Sequence, residues 1–599
     1  MKIPSWARLK AGLDRFLGKT PLVGVLFILT LLFQVYLVTK LPVFYPILKT
    51  VFLLLIVLVL RSLARMPRRE LASALLILLV IVAFRIPFYA HADGMMFTSD
   101  NALEALQPLE IQDSKRVPLY LLDSSGHNGT LKYLLVAFVW DFFGKDYLTF
   151  VLFQLMIFCG VCRLLFSVFR TLVHPRVLVL FLLSSFMFIE VIFDYSLFLR
   201  AAPYLETIFF VLLGISVFDW DFRRTGRLFL TAYFFLFAIY LHPLGVFFVV
   251  PFIVGALILA AIRGRFLPVL GFLAAGALAG AFPMLFFKLF GPPPQDPGAW
   301  FQIVFLNPAD LTLARIPGLV GGLVRDFRKI FNGLFNFELT YALQFFKGQE
   351  GLKNLAIVIN RVLVGTSFAV LLGGLAISVR RLIARPRTWT WSPLYFVLLT
   401  GTILGKLVLL SPHPLIEPRH NLDLAFLVIL AFLFVSSEVV KIKRLISVKS
   451  AGILLLLLVF AAPHYVLLLK MTRFKEHSYA EIMGVLREHR IKVLNTDFII
   501  AYPIYFFSDR RIYVTDVIGP LTIRFFYPRL RKDVEKVSWK KMAYLFFGDA
   551  HYRESWHVEW TDFIWIRLLH RLEIEKVAHR IIKLDYYTIV IPEPAMNVR

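Results

Sequence analysis

Apolar runs of roughly 20 residues, the length needed to cross a hydrocarbon core, alternate along this chain with polar gaps. Every second gap is rich in Lys and Arg. Runs near Pro21–Val38 and Val43–Leu60 lead to Arg61, Arg65, Arg68 and Arg69. A third, near Leu71–Phe84, opens into a long stretch rich in Asp and Glu, from Arg85 to about Lys145. A fourth, near Tyr147–Phe169, returns to Arg170 and Arg176. A fifth, near Val177–Phe193, leads to Asp194–Tyr204, and a sixth, near Leu205–Phe218, to Arg223, Arg224 and Arg227. The seventh and eighth form a hairpin with His242-Pro243 at its tip and Arg263 and Arg265 at its far end. A ninth near Leu267–Phe287, a tenth near Leu355–Val379, and three more ending near Ile453–Leu469 bring the expected total to about 13 helices.

Lys and Arg in short loops mark the cytoplasmic side of a bilayer. The alternation therefore predicts a cytoplasmic N-terminus. It places an acidic loop (85–146), a second long loop (288–351) and the tail on the outer face. Two domains are expected: membrane-embedded 1–470 and extracytoplasmic 471–599. In the tail the apolar runs shorten. Ala480–Glu488 has helical periodicity, while Ile491–Leu494, Arg511–Thr515 and Leu584–Pro592 read as strands, which predicts a small α/β domain.

Composition agrees with a membrane class. The chain is 59% apolar with a mean hydropathy of +0.74. The net charge of +26 would suggest nucleic acid in a soluble protein; here loop topology accounts for much of it. Met1–Thr20 is basic, but the following run lacks a small-residue cleavage site, so it reads as a span and not a cleaved leader. Cys159 and Cys162 lie in an apolar run and read as packed thiols. No Walker A loop, dinucleotide glycine fingerprint or His-Glu-x-x-His occurs.

Charges at the membrane edge or within it are costly, which makes them candidates for function. Asp100 sits in Phe97-Thr98-Ser99-Asp100-Asn101-Ala102 ahead of a helical pattern, with Glu104 one turn on. It suits a helix cap or a general base or metal-binding carboxylate. Arg200, Tyr204 and Glu206 form a second group, readable as an ion pair or as site residues. Glu417-Pro418-Arg419-His420 forms a third; Arg419 suits either a phosphate clamp or a headgroup anchor. His242, Lys353, Arg361 and Lys406 complete the set, with Arg361 and Lys406 inside expected spans.

In order and sidedness these motifs resemble the polytopic glycosyltransferases of the GT-C fold. That group includes the protein O-mannosyltransferases, the lipid A aminoarabinose transferase and other glycosyltransferase family 39-like enzymes. Ser99-Asp100-Asn101-Ala102 resembles the family's acidic loop motif, with Asn101 where a second acid is common. The run from Asn128-Gly129-Thr130 to Phe142-Phe143-Gly144 resembles its next signature. Glu417-Pro418-Arg419-His420-Asn421-Leu422 resembles its late motif, with His420 in place of Tyr. Asn495–Val514, including Ser508-Asp509-Arg510-Arg511, is similar to the outer domain of bacterial members. Two extra spans precede the acidic loop.

The resemblance implies a mostly α, polytopic GT-C protein of a bacterial inner or plasma membrane. It would transfer a sugar from a polyprenyl-phosphate carrier to a glycan, lipid or protein acceptor on the periplasmic face, with inversion. Asp100 would act as base with Glu206 in support. Arg419 and Arg200 would hold phosphate, and His420, Tyr204, His242 and Arg361 would line the substrate. No cofactor is assigned, and a divalent cation is left open. A transporter or flippase of a lipid-linked or envelope glycan is the rival class, and a non-catalytic scaffold is a third. The candidate charges cluster at one membrane face and no internal repeat is found, which disfavours the transporter.

Overall fold

The computed structural model describes residues 21–65, 99–118, 129–169, 204–290, 350–384, 391–409, 478–496, 498–518, 522–524, 536–547, 558–584 and 587–593, with isolated positions between. The expected third, fifth, twelfth and thirteenth spans lie largely or wholly outside these residues.

Ahead of the tail the described helices are α1 (Pro21–Thr39), α2 (Phe44–Ala64), α3 (Ser99–Ser114), α4 (Leu131–Phe143), α5 (Tyr147–Phe169), α6 (Tyr204–Val217), α7 (Thr225–Leu241), α8 (Val246–Ile262), α9 (Phe266–Gly280), α10 (Phe282–Phe290), α11 (Glu350–Ala384) and α12 (Trp391–Leu409). Among the described residues, five helical stretches are long and apolar enough to cross a membrane: Pro21–Thr39, Phe44–Ala64, Leu148–Leu165, Pro243–Ile262 and Val364–Ala384. Shorter apolar helices, including Tyr204–Val217 and Thr225–Leu241, pack among them. The expected ninth span is two helices, α9 and α10, parted at Ala281.

The core is aromatic. Phe33, Tyr233, Phe234, Phe237, Tyr240 and Phe210 are buried at the α1–α6–α7 contact, with edge-to-face pairs such as Phe210–Phe237 at 5.0 Å and Phe27–Tyr233 at 4.8 Å. Polar side chains link helices inside it. The Tyr233 hydroxyl donates to Thr30 Oγ1 at 2.9 Å and accepts from Gln34 Nε2 at 3.2 Å. Helix α9 lies directly against α7. A Cβ on Gly276 or Gly280 would collide with the carbonyl oxygens of Phe229 and Tyr233, so the Gly-x-x-x-Gly spacing sets how closely these backbones approach.

The tail contains α13 (Ser478–Glu488), β1 (Val493–Thr496), α14 (Phe498–Phe507), β2 (Tyr513–Ile518), β3 (Thr522–Arg524), β4 (Ala543–Phe547), α15 (Val558–Ile574), β5 (His579–Lys583) and β6 (Tyr587–Pro592). The six strands form one sheet in the order β3-β2-β1-β4-β6-β5. β1 pairs in parallel with β2 and β4, and the outer pairings are antiparallel. Leu568 and Leu572 of α15 pack with Tyr544, Phe546 and Val590. Helix α14 crosses between β1 and β2, packs on both, and also lies against α3. The tail is thereby docked on the segment that carries Asp100.

Candidate functional site

Helix α3 begins at Ser99, so Asp100 occupies its first turn and not a position before it. The side chains of Ser99, Asp100 and Asn101 lie outside the described residues. One turn on, Glu104 is fully buried. Pro108, four residues further, has no N–H to offer the Glu104 carbonyl, which interrupts the helical ladder at this point.

Opposite α3, the chain enters α4 through a turn fixed to the end of α7. Gly129 N donates to Leu241 O at 2.9 Å, and Thr130 Oγ1 donates to Pro118 O. A Cβ on Gly129 would stand 2.9 Å from the Tyr240 ring and 3.0 Å from Leu241 Cα, so this approach favours glycine. The second residue of α4 is Lys132, sealed from solvent. Its Nζ donates to Glu104 Oε2 at 2.7 Å and lies 4.0 Å from Glu206 Oε1 in the first turn of α6. The Phe150 and Tyr133 rings stand 5.6 and 5.8 Å from the ammonium, near enough for a cation–π contribution.

Tyr204, two residues before Glu206 on α6, meets His242 at the end of α7. Their rings lie 4.5 Å apart, and both are buried. His242 Nδ1 accepts from Leu244 N at 3.2 Å. A ring nitrogen that accepts from an amide carries no proton, so the neutral ring bears its proton on Nε2.

The charge balance of this cluster is uneven. Two buried carboxylates face one buried ammonium. Among the described residues, neither oxygen of Glu206 and only one of Glu104 has a hydrogen-bond partner. An uncompensated buried charge is costly, so the cluster holds an extra proton or welcomes a guest that donates hydrogen bonds. Burial pushes the Glu104 carboxyl up to about 7, against the pull of Lys132. That value suits proton exchange near neutrality.

The structure thus brings Glu206 together with Glu104 and Lys132, and Tyr204 together with His242. Arg361 lies exposed on α11. Arg200, Arg419 and His420 lie outside the described residues, as do the side chains of Lys353 and Lys406. Sequence reasoning missed Lys132. The signal was present in Leu131-Lys132-Tyr133-Leu134-Leu135, a lone ammonium within an apolar helix face, which by the same rule applied to Arg361 marks a functional candidate. Among the described residues no group of three or more His, Cys, Asp or Glu side chains is placed to hold a metal ion.

No family model matches the chain, and no curated protein matches it. Solved structures do. The Archaeoglobus fulgidus oligosaccharyltransferase AglB, in complex with an inhibitory peptide and a dolichol-phosphate, is similar over 86% of this chain and 73% of its own, at 11% identity and a TM-score of 0.44. The same archaeal enzyme tethered to an acceptor peptide gives 86%, 72%, 11% and 0.44. Its complex with Zn and sulfate gives 73%, 61%, 12% and 0.40, so there the chain spans about three-fifths of its neighbour. The likeness is one of general layout at low identity. Donor, acceptor and reacting residues are not read from it.

Proposed function

We propose that this chain is a membrane glycosyltransferase that moves a sugar from a polyprenyl-phosphate carrier to an acceptor at the outer face. The observation that supports it best is the sealed Glu104–Lys132–Glu206 cluster, built on the helix whose first turn carries Asp100. Sugar transfer needs a base for the acceptor and acceptors for sugar hydroxyls. It also needs cations for the leaving phosphate. Asp100 takes the proton from the acceptor hydroxyl or amine as that atom bonds to the anomeric carbon. The bond from that carbon to the phosphate oxygen breaks, and the polyprenyl phosphate leaves with the electron pair. Arg419 and Arg200 stabilise the charge that develops on it. Lys132 is already committed to two carboxylates. Its part is to hold Glu104 and Glu206 in place, with the unpartnered oxygens of Glu206 turned to sugar hydroxyls. Tyr204 and the Nε2 proton of His242 add neutral hydrogen-bonding groups.

The test uses membranes containing the chain and radiolabelled polyprenyl-phosphate sugars. Transfer into an acceptor supports the reading; translocation without transfer, or neither, sinks it. Within that assay Asp100→Asn abolishes transfer while leaving membrane insertion intact. Arg419→Ala weakens use of the donor more than use of the acceptor.

A further inference from the structure

The turn Ser508-Asp509-Arg510-Arg511 closes α14 with the hydrogen bonds of a glycine-type helix end. Asp509 N donates to Phe506 O at 3.1 Å and Arg510 N to Tyr505 O at 2.9 Å. That motif ordinarily places glycine at the left-handed position. Here Asp509 has φ 53° and Arg510 has φ 62°, two successive side-chain-bearing residues in a conformation that disfavours them. Ser508 fixes the turn: its hydroxyl donates to Tyr505 O at 3.0 Å and accepts from Ile512 N at 3.1 Å. The outcome is that the Arg510 guanidinium meets Asp113 in the last turn of α3, Nη1 to Oδ2 at 2.6 Å. Both side chains are partly exposed, 31% and 47%, and exposed ion pairs contribute little stability. The strain is therefore not explained by what the pair adds to the fold.

The same end of α3 is held on its other side. Tyr36 of α1 donates to Lys115 O. Gln112 donates to Ala137 O at 3.1 Å and to Asp141 Oδ1 at 2.8 Å, both on α4. Helix α3 is thus clamped between the membrane helices and the tail, and it carries Asp100 and Glu104 at its opposite end.

Resting on the reading of the chain as a glycosyltransferase, we infer that Arg510 is a positioning residue: through Asp113 it holds helix α3 in the placement that aims Asp100 and Glu104 at the reacting sugar. The tail is then part of the working site and not an appendage.

The test uses the full chain in membranes with a labelled polyprenyl-phosphate sugar. Arg510→Gly removes the guanidinium and relieves the backbone together. Its expected signature is a thermal midpoint that holds or rises while kcat falls about three- to five-fold, the scale of one exposed ion pair. The KM for the donor changes less than about two-fold, because the loss is in placing reacting groups and not in binding. Arg510→Asp alone also lowers kcat, and combining it with Asp113→Arg restores it. Unchanged turnover in Arg510→Gly, or no recovery in the charge exchange, overturns the inference; so does a fall in midpoint that parallels the fall in kcat. A separate readout needs no substrate: in a Cys159→Ala, Cys162→Ala background, Asp113→Cys with Arg510→Cys should be bridged by a short bis-maleimide, whose reach matches an Arg–Asp side-chain pair where a direct disulfide requires closer backbones, and failure to bridge removes the contact itself. If the crosslink forms but wild-type chain transfers nothing, the contact stands and the glycosyltransferase reading, with this role, falls.

Discussion

Lys132 carries the largest single-residue consequence. It is an ammonium sealed between two carboxylates, and removing one partner of a buried ion pair costs roughly 3–5 kcal/mol because the others are left uncompensated. Lys132→Met should lower the thermal midpoint in detergent by that order of free energy, and adding Glu104→Gln should recover part of it. A midpoint that does not move would mean that the ammonium is not paired as described. Glu104 makes a second prediction. Its carboxyl is pushed from 4.5 up to about 7 by burial, with Lys132 opposing. Below pH 4.5 both folded and unfolded chains hold that proton, and above about 7 neither does. Between those limits the folded chain holds it more strongly, so stability should fall as pH rises across the window. Glu104→Gln should flatten that segment of the stability–pH curve, and an identical slope in the variant would contradict the assignment.

Among elements, the α7–α9 contact is the one most exposed to a small change. Gly276 and Gly280 face carbonyl oxygens of α7 with no room for a side chain, whereas Gly271 on the same helix has nothing within 4 Å. Gly276→Val should therefore push the helices apart and cost about 1–3 kcal/mol, measured as a loss of folded chain in detergent. Gly271→Val should be close to neutral; equal effects would show that helix propensity and not backbone contact decides. Much at this scale could be read in advance. The edges expected for the first, fourth and sixth spans fall within a residue or so of α1, α5 and α6, because apolar runs bounded by charge leave little freedom in where a membrane helix stops. The break at Ala281 was hidden, since α9 and α10 are both apolar and periodicity cannot show a change of direction. Strand β5, His579-Arg580-Ile581-Ile582-Lys583, was also hidden. It is an edge strand with a largely exposed face, so the alternation that marks a half-buried strand is blurred. The ion cluster was only half legible: each carboxylate stood out alone, but Lys132 lies 28 residues from Glu104, and nothing along the sequence tells which distant helix turns will meet.

For the whole molecule, the question left by charge patterning is which end of the helix bundle faces the cytoplasm, and the contacts reduce it to one measurement. Helix α7 starts at Thr225, beside the basic turn Arg223-Arg224, and ends at Leu241, just before His242. Its 17 residues span about 25 Å, so the basic turn and the histidine lie toward opposite sides of the bundle. The Gly129 turn is hydrogen-bonded to Leu241, Lys132 follows it, Glu104 meets Lys132, and α3 meets the tail through Asp113 and Arg510. Both ends of α3 return to the same end of α7: Glu104 through Lys132 and the Gly129 turn on Leu241, and Lys115 through Tyr36, one turn from Phe33, which packs against Tyr240; the cluster, His242 and the tail therefore share a side. Loop charge predicts that this side is the exterior. In a Cys159→Ala, Cys162→Ala background, a membrane-impermeant maleimide should label Arg511→Cys, whose side chain is 83% exposed in the tail, on intact cells. Arg223→Cys, exposed in the basic turn, should label only after permeabilisation. The reverse pattern would move Asp100 and the whole cluster to the cytoplasm together and end the proposal of an outer-face transferase. Labelling of both from outside would instead break the chain of contacts between α7, α3 and the tail, since no single bundle with these links presents both ends to one compartment.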